Sequence, residues 1–125
     1  MGALTGLGLT TSDGAIMCVG APDSVLAEAA RMKPRPSFAP SLLTAEPTAR
    51  LLWWPSRAQM STTMFARLRW LLESGAGQVW VLFDPADEDS PTACELNEAL
   101  EAIGFAAGEP VPAGTECALP LAHRS

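Results

Sequence analysis

Three short apolar runs constrain this chain more than any other feature: Ala15–Val19 (AIMCV), Ala49–Trp54 (ARLLWW) and Gln78–Phe83 (QVWVLF). Ala15–Val19 alternates little and predicts a strand covered on both faces, Ala49–Trp54 predicts a second buried strand, and Gln78–Phe83 predicts a third strong one. Each is also followed by the signal for a helix start. After the first, Gly20 and Ala21 make a turn, Pro22 suits the first helical turn, and Asp23 complements the positive helix end. After the second, Pro55 stops the strand and Ser56-Arg57-Ala58-Gln59 has the form of a capping box. After the third, Ser90 is placed as a cap with Pro91 in the first turn. Strands alternating with helices predict a parallel sheet with right-handed crossovers and helices on its faces.

The expected helices carry apolar stripes. Val25, Leu26, Ala29 and Ala30 mark the first. Met60, Met64, Leu68, Leu71 and Leu72 mark the second, which Gly75 or Gly77 ends, and Leu96, Ala99, Leu100 and Ile103 mark the third, which Gly104 closes. Glu95, Glu98 and Glu101 face water on that last helix. Between the first helix and the second run, Pro34, Pro36, Pro40 and Pro47 remove ladder donors and block any helix. That stretch predicts an ordered loop with one short edge strand over Ser41–Thr44. Phe105–Val111 and Thr115–Leu121 predict a closing β-hairpin. The expectation is a single α/β domain over residues 1–125. It is a three-layer Rossmann-like sandwich with a mostly parallel sheet and an antiparallel C-terminal hairpin.

Composition narrows the function classes. A chain of 125 residues with 48% hydrophobic content has enough apolar side chain for one core without staples. No apolar run is long enough to cross a bilayer, and the first residues have neither a basic region nor a continuous apolar core. Gly2 is followed by Gly6 where a myristoylation signal needs Ser or Thr. A cytoplasmic protein is expected. A net charge of −6 argues against a nucleic-acid surface, and Arg31, Lys33 and Arg35 read as a solvated loop. One lysine against seven arginines, with abundant Ala, Gly and Pro, hints at a high-GC genome. Cys18, Cys94 and Cys117 form no CxxC pair and read as packed thiols that react slowly. His123, the single histidine, leaves little for a His-based metal site or a Ser-His-Asp triad, and no metal is expected.

In a doubly wound sheet, ligands sit beyond the carboxyl ends of the strands. Here that rim is supplied by Gly20, Ala21, Pro22 and Asp23, by Trp54, Ser56 and Arg57, and by Asp84, Asp87 and Glu88. A dinucleotide or methyl-donor site needs glycines in the first turn and an acid at the end of the second strand. Gly20 alone meets the first need, and Glu46, in the proline-rich stretch, is the single candidate for the second. Pro22 removes one N–H that an anion would use. No cofactor is expected. The acids of DPADEDSP fit no calcium-loop pattern and read as helix-dipole complements. Trp53, Trp54 and Trp80 read as core. Trp70 lies about 200° around its helix from Leu68, beside Arg67. It is either an interface anchor or a residue that the neighbouring 32–48 segment covers.

WPSRAQM, the helix after it and GQVWVLFDP carry a resemblance, extended by LTGLGLTTSDGAIMCVGAP and GFAAGEPVPAGTECALPL. On these segments the chain is similar to a family of small bacterial proteins without an assigned activity. Its members in turn resemble a shortened class I methyltransferase that keeps the later strands and the terminal hairpin. The resemblance implies architecture only. Many relatives carry a lysine soon after the third strong strand, where this chain has Asp84-Pro85, so no role of that lysine transfers.

The leading expectation is a non-catalytic module that binds a protein partner or itself, as a dimer, through Arg67 and Trp70. The alternative is a small-molecule- or nucleotide-binding enzyme, degenerate and methyltransferase-like, that uses the strand-end rim. A redox-sensing thiol protein trails both, because no cysteine has an activating neighbour in sequence. A concave pocket between Gly20, Trp54 and Asp84 favours the second reading, and an exposed apolar patch around Trp70 favours the first.

Overall fold

The three apolar runs become neighbouring strands at the heart of one sheet. The computed structural model describes residues 15–31, 35–46, 48–56, 58, 60–74, 78–113 and 116–123. In chain order the elements are β1 (Ile16–Val19), α1 (Asp23–Ala29), β2 (Ser37–Ala39), β3 (Arg50–Trp53), α2 (Thr62–Glu73), β4 (Gln78–Phe83), α3 (Ala93–Ala102), β5 (Phe105–Ala107), β6 (Val111–Ala113) and β7 (Glu116–His123). The sheet order is β2-β1-β3-β4-β7-β5, with β6 also paired to β7. β2, β1, β3 and β4 are parallel, and β7 runs antiparallel to β4, β5 and β6. This is the expected α/β Rossmann-like architecture.

The pleat sorts the strand residues into two cores. Met17, Val19, Leu51, Trp53, Val79, Val81 and Phe83 join Phe65, Leu68 and Leu71 of α2 and Leu96 and Leu100 of α3 in the larger one. Ile16, Cys18, Leu52, Trp54 and Leu82 join Val25 and Ala29 of α1 in the smaller one, with Ala113 and Ala118. β1 and β3 are buried along their whole length and have no solvent face, whereas Gln78 and Trp80 leave the start of β4 partly open on the side away from α2 and α3.

Several local expectations shift. Ser41–Thr44 is a turn, not a strand: Ser41 Oγ accepts from Leu43 N at 3.2 Å, and Thr44 Oγ1 donates to the Ser41 carbonyl at 3.0 Å. Such side-chain bonds offer the backbone an alternative to a ladder. The edge strand is Ser37–Ala39 instead, paired parallel with β1. On α1, Leu26 and Ala30 are exposed while Val25 and Ala29 are buried, so its stripe is half as wide as expected. The second helix starts at Thr62, capped by Ser61 Oγ accepting from Met64 N at 3.3 Å. The Ser56 capping box therefore does not start it, and two of the box's four residues, 57 and 59, lie outside the described residues. Ser56 lies in the cleft at the sheet rim instead. Gly75 and Gly77 lie outside the described residues; α2 closes on Ser74, whose N–H donates to Trp70 O at 2.9 Å.

The third helix is capped by Thr92, not Ser90. Thr92 Oγ1 accepts from Glu95 N at 3.2 Å, and the T-x-x-E spacing of a capping box lies at Thr92–Glu95. At the C-terminus the single expected hairpin divides. β7 is eight residues long and takes β5 beside its end and β6 beside its start. Gly108-Glu109-Pro110 interrupts the first arm between them.

Phe65 was absent from the predicted stripe, yet it is buried and meets Trp53 edge-to-face, with ring centroids 5.6 Å apart. Phe65→Ala should cost about 3–5 kcal/mol, the range for removing a core aromatic ring. Urea unfolding with an unchanged slope checks this, and a loss below about 1 kcal/mol would mean that α2 is not seated on the sheet by this ring.

Candidate functional site

The order of strands places one edge of the sheet apart from the rest. From β1 the chain passes through α1 to β2 on one side, then returns to β3 on the other side of β1. The two connections diverge at the carboxyl ends of β1 and β3, and a crevice is left where they part. A cleft of about 390 Å³ occupies this position. Gly20 follows β1 in its wall, Trp54, Pro55 and Ser56 follow β3, and Asp84 follows β4.

Of the residues expected at the rim, Gly20, Trp54, Ser56, Asp84 and Asp87 line this cleft together. Asp23 does not: it is exposed in the first turn of α1, while Pro22 and Ser24 reach the wall. Arg57 lies outside the described residues. Glu88 is exposed and belongs to the recess on the other side of the acidic loop.

Gly20 has φ +68°, and a Cβ built there would lie 3.1 Å from the Trp54 carbonyl oxygen. Its N–H donates to Ala39 O at 2.9 Å. The glycine is therefore required by the turn out of β1 and by the closeness of the next strand's backbone. Asp84 and Asp87 organise their own loop. Asp84 Oδ1 accepts from Ala86 N and Asp87 Oδ1 from Asp89 N, both at 2.9 Å. Ser90 Oγ, freed from capping, accepts from Asp84 N at 2.9 Å and closes the loop from the far end.

Glu116 is the wall residue that sequence reasoning missed. It opens β7, and the antiparallel register of β7 with β4 (Phe83 opposite Cys117) brings it back to the edge where β4 ends. The Trp54 indole Nε1 donates to Glu116 Oε1 at 3.2 Å, across 62 positions of sequence. Burial pushes the Glu116 carboxyl above the ordinary glutamate range. The Trp54 hydrogen bond opposes this, and the Asp84 charge adds to it. The only sequence signal was one acid at the start of a terminal strand, which no local pattern distinguishes from solvent-facing glutamate.

Outside the cleft, Arg67 is engaged. Its Nε donates to Leu42 O and its Nη2 to Ala45 O, each at 3.0 Å, so it clamps the segment after β2 onto α2. The guanidinium also sits 4.0 Å from the centroid of the Trp70 ring, and Trp70 keeps 44% of its surface exposed. The segment is thus tied to Arg67 without covering Trp70. The cysteines divide: Cys18 is buried and its thiol is pushed up to about 12, mainly by burial with help from the Glu28 charge. Cys94 is exposed on α3, which corrects the expectation that all three thiols are shielded.

A carboxyl group whose pKa is raised by folding keeps its proton to higher pH in the native state than in the unfolded chain. Native stability then falls as pH rises from the ordinary glutamate value through the raised one. Glu116→Gln keeps an acceptor for the Trp54 indole and removes that loss. Its Tm should match the parent's at acidic pH and exceed it at neutral pH. Thermal melts across this range check the sign, and a lower Tm at neutral pH would mean that the charged form is the one the fold prefers.

No family model and no curated protein sequence matches the chain. Solved structures do. Magnesium protoporphyrin IX methyltransferase (ChlM) from Synechocystis PCC 6803, with bound SAM, is similar over 90% of this chain and 70% of its own, with TM-score 0.52 and 11% identity. The pyocyanin biosynthetic protein PhzM is similar over 90% of this chain and 50% of its own, with TM-score 0.55 and 17% identity. The ribosomal protein L11 methylase from Lactobacillus delbrueckii subsp. bulgaricus is similar over 90% and 71%, with TM-score 0.50 and 13% identity. The fold of this chain is a methyltransferase-like Rossmann domain of small size.

Proposed function

We propose that this chain is a small-molecule-binding domain of methyltransferase-like fold, with its ligand seated in the strand-end cleft. The supporting observation is the cleft itself: it lies at the switch point between β1 and β3 and gathers Gly20, Trp54, Ser56, Asp84, Asp87 and Glu116 from four separate stretches of chain. Concavity, an aromatic wall and a titratable group with a shifted proton affinity are the marks of a ligand site.

S-adenosylmethionine does not fit the residues present. The single glycine of the first turn is matched to the Trp54 carbonyl, so its missing side chain makes room for backbone of the protein itself. Pro22 stands at the cap of α1 and offers no N–H. β2 is followed by Pro40 and Ser41, where a ribose-binding acid would be needed. Two measurements test the proposal. Calorimetric titration with S-adenosylmethionine should give no binding in the micromolar range. A fragment set added to ¹⁵N-labelled protein should move the Trp54 indole signal, one of four, together with the amides of Gly20 and Ser90. Fragments that act only elsewhere, or that leave Trp54 unmoved, would overturn the reading.

A second reading, association with a protein partner or a second copy of this chain, is favoured by Trp70. A tryptophan 44% exposed and stacked on an arginine that is itself tied down has the preorganisation of an interface anchor. Trp70→Ala should then leave stability within about 1 kcal/mol of the parent, as for a surface site, and weaken association at least about thirtyfold. Sedimentation at several concentrations, with pull-down of native partners, checks it. A monomer that captures nothing with Trp70 intact would remove this reading.

A further inference from the structure

Resting on the cleft-binding reading, we propose that the ligand carries an ammonium or comparable cationic donor group on an apolar body. The cleft offers more free acceptors than donors. Two of its donors are spent inside the protein: the Trp54 indole N–H goes to Glu116, and the Asp84 N–H goes to Ser90 Oγ. Ser90 Oγ in turn lies 3.5 Å from the Pro91 carbonyl. Its acceptors are in surplus. Asp84 and Asp87 each commit one carboxylate oxygen to a loop amide, and Glu116 commits one to Trp54, so the second oxygen of each has no protein donor among the described residues.

Asp89 adds a fourth carboxylate at the mouth, and no basic side chain lines the cleft among the described residues. Between the acids lies an apolar floor and wall of Pro22, Pro55, Leu82 and Phe83 with the Trp54 ring. A ligand that accepts hydrogen bonds, such as a phosphate or carboxylate, would meet four carboxyl groups and no basic side chain among the described residues, with serine hydroxyls as its side-chain donors. A ligand that donates them with a positive charge meets the opposite charge beside the Trp54 ring. The negative repulsion between Asp84 and Glu116, which already acts against ionising Glu116, would be relieved when such a group sits between them.

The lining also argues against a bare metal ion, since no group of three or more His, Cys, Asp or Glu side chains among the described residues is placed to hold one. The cavity is sized for an organic molecule instead.

Three probes of one shape test the proposal: phenethylamine, phenethyl alcohol and phenylacetate, titrated at low ionic strength and neutral pH while the Trp54 indole signal is followed. The amine should bind about tenfold or more tightly than the alcohol, the margin of a charge-assisted bond over a neutral one, and phenylacetate should not bind measurably. The preference should fall about tenfold in Asp84→Asn/Glu116→Gln, and should persist in Glu98→Gln/Glu101→Gln, which removes the same charge from the exposed face of α3. If amine and alcohol bind Trp54 equally, the cationic class is wrong while the cleft-binding reading stands. If the amine preference is lost equally in both double variants, it reflects net charge and the proposal fails. If no probe moves Trp54, the proposal fails, and the fragment titration decides the fate of the cleft. Circular dichroism of both double variants confirms that they fold.

Discussion

The whole arrangement depends on β1 being hydrogen-bonded along both edges. Met17, Cys18 and Val19 pair with Ser37, Phe38 and Ala39 on one side and with Leu51, Leu52 and Trp53 on the other. All four residues of the strand are buried. A strand so enclosed has to be apolar on both faces, because one face meets α1 and the other meets the helices that follow β3 and β4. It also has to be left by a sharp turn, since the chain must clear the end of β3 before α1 begins. Gly20, with its left-handed φ and its missing side chain against the Trp54 carbonyl, performs that turn. The cleft exists because the chain leaves β1 in one direction and β3 in the other. Its position is a consequence of strand order, and its chemistry comes from whichever residues happen to follow the strands.

Fold and site differed in how far the sequence revealed them, for one physical reason. The three central strands were legible because burial demands an apolar run, whereas the edge strand and the divided C-terminal hairpin, which carry shorter runs, were misplaced or merged. Helix stripes were legible in their spacing but not in their width: Leu68, Leu71, Leu96 and Leu100 are buried, whereas Leu26 is not and Phe65 was overlooked. Caps were misjudged where two candidates stood close together. Ser56 and Ser61, and again Ser90 and Thr92, compete for the same helix start, and in each pair the later residue is the one whose side chain accepts from the first helical turn. The losing residues gained other positions: Ser56 in the cleft wall, Ser90 as acceptor for the Asp84 amide. A residue that departs from local capping chemistry is thus worth inspecting as a site residue.

Arg67 illustrates the opposite case, a residue with a functional look and a structural task. Its spacing from Leu68 put it on the outer face of α2, where arginine beside tryptophan suggests an interface. In the fold it bridges two carbonyls of the segment that follows β2, which the prolines keep from forming a longer strand. Carbonyls that no ladder partners need donors, and a guanidinium supplies two in one plane. The clamp lets Leu42 and Ala45 bury fully against the larger core while Leu43 and Trp70 remain outside. Arg67 therefore serves the core first, and whatever Trp70 meets, it meets from a base already made rigid.

The Trp54–Glu116 contact has a different character, because it joins the two ends of the chain's logic at the cleft. Trp54 is 8% exposed and packs with the smaller core that also contains Cys18, Leu52 and Leu82, so its burial does not rest on Glu116 alone. Glu116 gains one hydrogen bond from it, but burial and the nearby Asp84 charge outweigh that bond, and the carboxyl ends up with a stronger hold on its proton than in water. A fold optimised for stability alone would place an amide or an apolar residue there. Among the described residues no cation compensates for Glu116, and the same edge carries three further carboxylates. The strain is local to the one concavity that the strand order creates. An unfavourable charge at that concavity, beside an aromatic ring that the core keeps rigid, has the physical form of a site whose electrostatic balance is completed from outside the chain.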